Sequence, residues 1–286
     1  MDVTLEPSLP VPPHDFGGSG PLLHLAHANG FPPGAYRPLA EALTDAFHTV
    51  ALPARPLWPG SRPESTPSWH PLADDLTRAF DRLGWRGVVG VGHSMGGVIT
   101  LWAAVRRPEL FRAVVLIDPV ILPPAWLWAV RAARLLGLQR RFPLVQGALR
   151  RRRTWPSRQV CYERYRRTPF FANWPDESLW AYVEAGTRER GDGQVELVYP
   201  PEWEAQIFAT TPTDVWRAVP RLQIPALVIR GERSDTFRPQ SQARVERLLP
   251  HARFLVIPGA GHLVPMERPE PVASAIRTFF LESGDP

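Results

Sequence analysis

The stretch Gly87-Val-Val-Gly-Val-Gly-His-Ser-Met-Gly-Gly97 constrains the fold of this chain more than any other. A short apolar run stops at one serine, with a glycine two positions before it and another two positions after it. The following residues, "SMGGVITLWAAVRR" (94–107), carry apolar side chains at helical spacing and are stopped by Pro108. A strand that turns this sharply into a helix forces its apex residue into a strained conformation. It also brings the two backbones so close that Gly92 and Gly96 are needed where a Cβ would not fit. The Ser94 hydroxyl is then lifted above the carboxyl end of the strand. It sits at a helix amino terminus, whose free N–H groups favour a negative oxygen.

The same strand-then-helix alternation runs through the rest of the chain. Strands are expected at 21–27, 48–54, 87–93, 111–120, 224–232 and 251–259, and helices at 36–47, 69–84, 94–107, 238–250 and 268–281. Strands that are apolar on both faces and alternate with amphipathic helices imply a mostly parallel sheet covered by helices, with right-handed crossovers. The proline-rich first twenty residues could add one or two antiparallel strands.

The interval 121–219 breaks the pattern. It holds seven of the eleven tryptophans, lacks apolar strand runs, and has twelve arginines but a single acid, Glu163, between Arg131 and Arg167. It reads as an inserted helical subdomain, a lid, within a core made of 1–120 and 220–286. Aromatic residues in a lid suggest an apolar or aromatic acyl pocket, with Trp126 and Trp128 the first candidates to line it. The arginine band suggests weak contact with an anionic membrane or a phosphate-bearing lipid.

Composition excludes several classes. Hydrophobic residues make up 44% and charged residues 21%, which is ordinary globular usage. All 33 basic residues are arginine, and the formal charge of +5 is by itself too small to argue for nucleic acid. The one cysteine, Cys161, cannot form an internal disulfide, and no metal-type Cys/His spacing exists. The start "MDVTLEP" has neither a basic nor an apolar leader region, and no stretch reaches the length of a membrane span. The expectation is a cytoplasmic protein without metal or other cofactor, acting on a small molecule, its oligomeric state open.

A hydroxyl is a poor nucleophile unless a base, an orienting acid and oxyanion donors surround it. His262, in the glycine-rich loop "IPGAGHLVPMERPE" after the last strand, is the expected base. His93 is expected to pack beside the elbow and His24 to lie in the core, while His14, His48, His70 and His251 lie near loops or element ends. Two aspartates end strands. Asp235, in "RGERSD", fits the order nucleophile, acid, base and is preferred; Asp118, in "VVLIDP", is the alternative, with Glu232 behind both. The oxyanion donors are expected to be the N–H of Met95 and the N–H of Phe31 in "HANGFPPGAY". Asn29, His93 and Asp118 are placed on the rim of the substrate pocket.

With "NGFP", "GHSMGG", "RGERSD" and "GAGHLVPMERPE" in this order, the chain resembles the α/β-hydrolase superfamily, in particular its lidded serine esterase and lipase-like branch. The resemblance covers about 21–120 and 220–281. It implies an eight-stranded, mostly parallel sheet and a cofactor-free Ser94–His262–Asp235 triad that hydrolyses esters. Two loops depart from the family pattern: the usual HG-x-P reads "HANGFP", and the loop after the second buried strand reads "ALPARPLWPGSRP". Serine at the elbow argues against the dehalogenase and epoxide-hydrolase relatives, which use aspartate. C–C bond hydrolysis of ring-cleavage diketones, perhydrolase or haloperoxidase chemistry, lysophospholipase activity and a non-catalytic small-molecule receptor remain as alternatives.

Overall fold

The computed structural model describes residues 9–282. Its first half runs β1 (His14–Gly17), β2 (Leu22–Ala26), α1 (Arg37–Glu41), β3 (His48–Ala51), α2 (His70–Arg82), β4 (Val88–His93), α3 (Met95–Arg106) and β5 (Phe111–Ile117). An insert follows, with α4 (Pro124–Leu135), α5 (Pro143–Leu149), β6 (Thr154–Trp155), α6 (Arg158–Arg166), α7 (Asp176–Gly186), β7 (Thr187–Glu189), β8 (Val195–Leu197) and α8 (Pro201–Ala209). The chain then closes with β9 (Ala226–Gly231), α9 (Pro239–Leu248), β10 (Arg253–Ile257), α10 (Val264–Glu267) and α11 (Pro269–Glu282).

The main sheet has the order β1-β3-β2-β4-β5-β9-β10, parallel except for β1, which runs antiparallel to β3. The described residues therefore give seven strands rather than the expected eight. The amino-terminal region contributes one antiparallel strand: Pro10, Pro12 and Pro13 lack the N–H groups a ladder needs, so pairing starts only at His14. Residues 1–8, part of the expected amino-terminal strands, lie outside the described residues. The insert, expected to be helical, also carries a small antiparallel sheet of order β6-β8-β7, with strands too short to leave a periodic signal.

Side chains of the parallel strands alternate between two cores. Leu23, Val89, Val91, Val115, Ile117 and Ile229 face one side, whereas Val88, Val114, Leu116 and Val228 face the other with α2 and α3 residues such as Leu72, Phe80 and Trp102. Trp155, Phe171, Trp174 and Tyr182 of the insert belong to the first of these cores, so the insert is packed continuously onto the sheet.

Register fixes where the chemistry lies. His93 pairs with Ile117 across β4 and β5, and Ile117 pairs with Ile229 across β5 and β9. The residues one step beyond, Ser94 and Asp118, therefore leave the carboxyl ends of adjacent strands side by side. Clefts at this end of a parallel sheet are where ligands of open α/β folds bind.

Candidate active site

Ser94 sits at the apex of the β4–α3 turn with φ 56° and ψ −114°, a conformation that non-glycine residues rarely hold. The turn is as tight as the glycines suggest. A Cβ on Gly92 would lie 2.4 Å from the Gly96 carbonyl oxygen, and one on Gly96 would lie 2.0 Å from that of Ala26. Gly96 thus lets the end of β2 press against the start of α3, bringing the 26–31 loop beside the serine. Met95 begins α3, and its N–H has no acceptor four residues back within the helix.

His262 arrives from the loop after β10. Its Nε2 lies 2.9 Å from Ser94 Oγ and its Nδ1 lies 2.7 Å from Asp118 Oδ1. With Nδ1–H donating to the carboxylate, Nε2 is left to accept the serine proton. Ser94 and His262 are thus brought within hydrogen-bonding distance.

The acid on the imidazole is Asp118, not the preferred Asp235. Asp118 is fully buried at the end of β5, with φ 41°. Its Oδ1 accepts from the Ser234 hydroxyl at 2.6 Å, and its Oδ2 accepts from the Gly231 N–H at 2.9 Å. The cause lies in the turn after β9. The Ser234 N–H donates to the Gly231 carbonyl, which folds Ser234 inward over Asp118 and turns Asp235 out to solvent. There the Asp235 carboxylate accepts from the neighbouring Thr236 hydroxyl.

The second expected oxyanion donor is also corrected. The Phe31 N–H donates to the Ala28 carbonyl at 3.2 Å, closing a turn in which Gly30 takes φ 81°. The Phe31 ring packs on Tyr182 at 5.0 Å and near Trp174 at 6.1 Å between centroids. The Ala28 N–H donates to the Tyr36 hydroxyl and the Gly30 N–H lies against the Tyr199 hydroxyl. Neither the Asn29 N–H nor the Gly30 N–H has a backbone acceptor among the described residues. The Asn29 side chain is itself pinned: its Oδ1 accepts from Tyr199 and its Nδ2 donates to the Glu204 carbonyl.

His93 is buried, as expected, and its bonds are specific. Burial, and then the neighbouring His262, depress its pKa to about 3, so the ring is neutral. Nε2 donates to the His262 carbonyl at 3.0 Å, which leaves Nδ1 to accept from the Tyr36 hydroxyl at 2.7 Å. Nothing in the sequence marked Tyr36; its distance of eight residues from Ala28 hides the contact. His27 is likewise neutral, its pKa lowered by burial to about 4, with Nε2 accepting from the Ala54 N–H.

Trp126 and Trp128 do not enclose a pocket over the serine. They are 46% and 71% exposed, because the arginines of α4 take the inward face of that helix. Nearer the 28–31 loop, Arg151 is ion-paired with Glu204 at 2.5 Å and donates to the Tyr182 hydroxyl at 2.8 Å.

A family model described as the alpha/beta hydrolase family matches residues 23–275. The chain belongs to the alpha/beta hydrolase family. This hydrolase is 29% identical over 266 residues to 2-(acetamidomethylene)succinate hydrolase of Mesorhizobium japonicum, covering 92% of this chain and 88% of the relative. It is 26% identical over 268 residues to pimeloyl-[acyl-carrier protein] methyl ester esterase of Xanthomonas axonopodis pv. citri, covering 93% and 97% of the two chains. A crystal structure of E-2-(acetamidomethylene)succinate hydrolase superposes with a TM-score of 0.77 at 26% identity, covering 94% of each chain.

Proposed function

We propose that this hydrolase cleaves carboxylic esters with apolar or aromatic acyl groups through an acyl-enzyme on Ser94. The observation that carries the reading is the hydrogen-bonded line from Ser94 Oγ through His262 to buried Asp118, spanning 2.9 Å and 2.7 Å. His262 Nε2 takes the hydroxyl proton as Oγ attacks the carbonyl carbon. The oxyanion is held by the N–H groups of Met95 and Asn29, and Nε2 then returns the proton to the departing alcohol. Nε2 next deprotonates a water that attacks the acyl-enzyme, and the acid leaves with Ser94 restored. Asp118 keeps the imidazole in the productive tautomer and balances its charge.

Residues 121–219 act in this reading as the lid that chooses the acyl group. Phe31, Phe171, Trp174 and Tyr182 form an aromatic cluster behind the oxyanion loop. The nearby Arg151 charge is already balanced by Glu204, which favours a neutral acyl group over a substrate anchored by its carboxylate.

The name of the M. japonicum relative, a succinate derivative, motivates the competing reading of an acidic substrate. Both are tested by profiling p-nitrophenyl esters of graded acyl length beside hemiesters of dicarboxylic acids and a vinylogous diketo acid, with Ser94→Ala as control. Turnover of the neutral esters that disappears in Ser94→Ala supports ester hydrolysis. Turnover confined to the acidic or diketo substrates overturns it.

A further inference from the structure

Helix α4 is built inside out. Its twelve residues bury one side chain, Leu127. At about 100° per residue, Leu127, Val130, Arg131 and Arg134 share one side of the helix. Contacts place that side inward: Arg131 Nη2 donates to the Thr213 carbonyl at 2.8 Å, and Arg134 donates to the Thr211 carbonyl just past the end of α8. The opposite side holds Ala125, Trp126, Trp128, Ala129, Ala132 and Leu135, all exposed. Exposure reaches 71% at Trp128 and 89% at Leu135, and Leu136 past the helix end and Leu144 on α5 add 71% and 64%. Scattered exposed apolar residues are ordinary, but an apolar face on a helix whose cations point inward is not.

From Pro119 to Tyr162 there are nine arginines and no aspartate or glutamate; Arg151, Arg153 and Arg158 are paired with Glu204, Glu202 and Glu189. Arg140, Arg141 and Arg150 are exposed and paired to no carboxylate among the described residues. The face also borders the site: Trp126 lies under the Arg238 guanidinium at 4.2 Å, and the Val120 N–H donates to the Ser94 carbonyl at 3.4 Å. It is therefore at the end of the sheet where the serine opens.

We infer that the outer face of α4, with the arginines of 140–150 at its rim, docks on the surface of an anionic phospholipid bilayer. Apolar side chains including two tryptophans would enter the headgroup boundary, and the arginines would meet lipid phosphates. No helix among the described residues is long and apolar enough to cross a membrane, and α4 has only twelve residues, so the contact is peripheral. A second copy of this chain is a poorer occupant, because pairing two such faces opposes two arginine rims with no acid between them.

The inference is independent of the ester reading, and its test reads binding without turnover. Full-length protein is sedimented with phosphatidylcholine vesicles, with or without phosphatidylglycerol. Binding should be at least about tenfold stronger on the anionic vesicles and weaken as salt rises. Trp128→Ser with Leu135→Ser, and separately Arg140→Gln with Arg141→Gln, should each lower it about tenfold or more, with the melting temperature unchanged as evidence of folding. Equal binding to neutral and anionic vesicles, or no loss in either double variant, overturns the inference. So does concentration-dependent self-association that the Trp128/Leu135 variant abolishes, since it assigns the face to a second copy.

Discussion

Nε2 of His93 donates to the backbone carbonyl of His262 at 3.0 Å, so the residue before Ser94 holds the main chain of His262. Through Nδ1 the same ring accepts from Tyr36, whose oxygen accepts the Ala28 N–H at 2.8 Å. One buried chain of hydrogen bonds thus ties together the oxyanion loop, the elbow and the His262 loop. Tyr36→Phe removes both Tyr36 bonds and strands the Ala28 N–H and His93 Nδ1. We expect a loss of about 1–3 kcal/mol in stability by denaturant titration. We also expect kcat to fall by about tenfold or more with KM nearly unchanged, since the effect is on catalytic geometry.

The two aspartates separate cleanly by mutation. Ser94→Ala and His262→Ala should each lower turnover by as much as about 10⁶. Asp118→Asn should cost on the order of 10⁴ by leaving the imidazole in the wrong tautomer. Asp235→Asn, at an exposed carboxylate bonded to Thr236, should stay within about twofold, as surface changes usually do. Steady-state rates on one activated ester compare all four. A large loss in Asp235→Asn with a small one in Asp118→Asn would reverse the assignment.

Gly96→Ala tests the elbow itself. The added methyl would lie 2.0 Å from the Ala26 carbonyl oxygen and 2.8 Å from that of His27. Both atoms are backbone, so neither can swing away. We expect destabilisation of at least about 3 kcal/mol or failure to accumulate folded protein, measured by urea unfolding and soluble yield.

Acid should unfold this protein through its buried histidines. Burial lowers His24 from 6.5 to about 3 and His93 likewise to about 3, and lowers His27 to about 4. The unfolded chain binds these protons first as pH falls. Their neutral burial therefore costs nothing above about pH 6.5, and stability declines between there and the folded values. Each contributes a slope of up to about 1.4 kcal/mol per pH unit in that window. Melting temperatures from pH 7 to pH 4.5 should drop steeply, and His24→Gln, whose Nδ1 has no partner, should flatten the decline by about one proton.

The sheet was legible because its strands are short apolar runs between glycine or proline signals, and each expected core strand appears within a few residues of its predicted ends. The elbow was legible because glycine at 92 and 96 has a steric reason visible in the sequence. The acid was not. Asp118 and Asp235 both follow strands, the one directly after β5 and the other four residues past β9, and both fall between Ser94 and His262, so chain order could not choose between them. The choice rests on the Gly231 N–H and Ser234 hydroxyl turning toward one carboxylate, contacts across more than a hundred residues. Phe31 failed as a donor for a local reason: the Gly30 turn spends its N–H on Ala28. The exposure of the α4 tryptophans is not legible either, because it depends on Arg131 and Arg134 reaching inward to the Thr213 and Thr211 carbonyls.

Asp118 lies immediately before the insert, yet its partners Gly231, Ser234 and His262 all come from chain that follows the insert. The departure and return points are thus bolted to each other through a single carboxylate. The chain between them can vary without moving Ser94, His262 and Asp118, provided Tyr199 and Glu204 still hold Asn29. The long excursion is therefore the natural place to graft a new substrate preference, and chimeras exchanging it at residues near 122 and 218 while keeping those two residues should retain Ser94 reactivity.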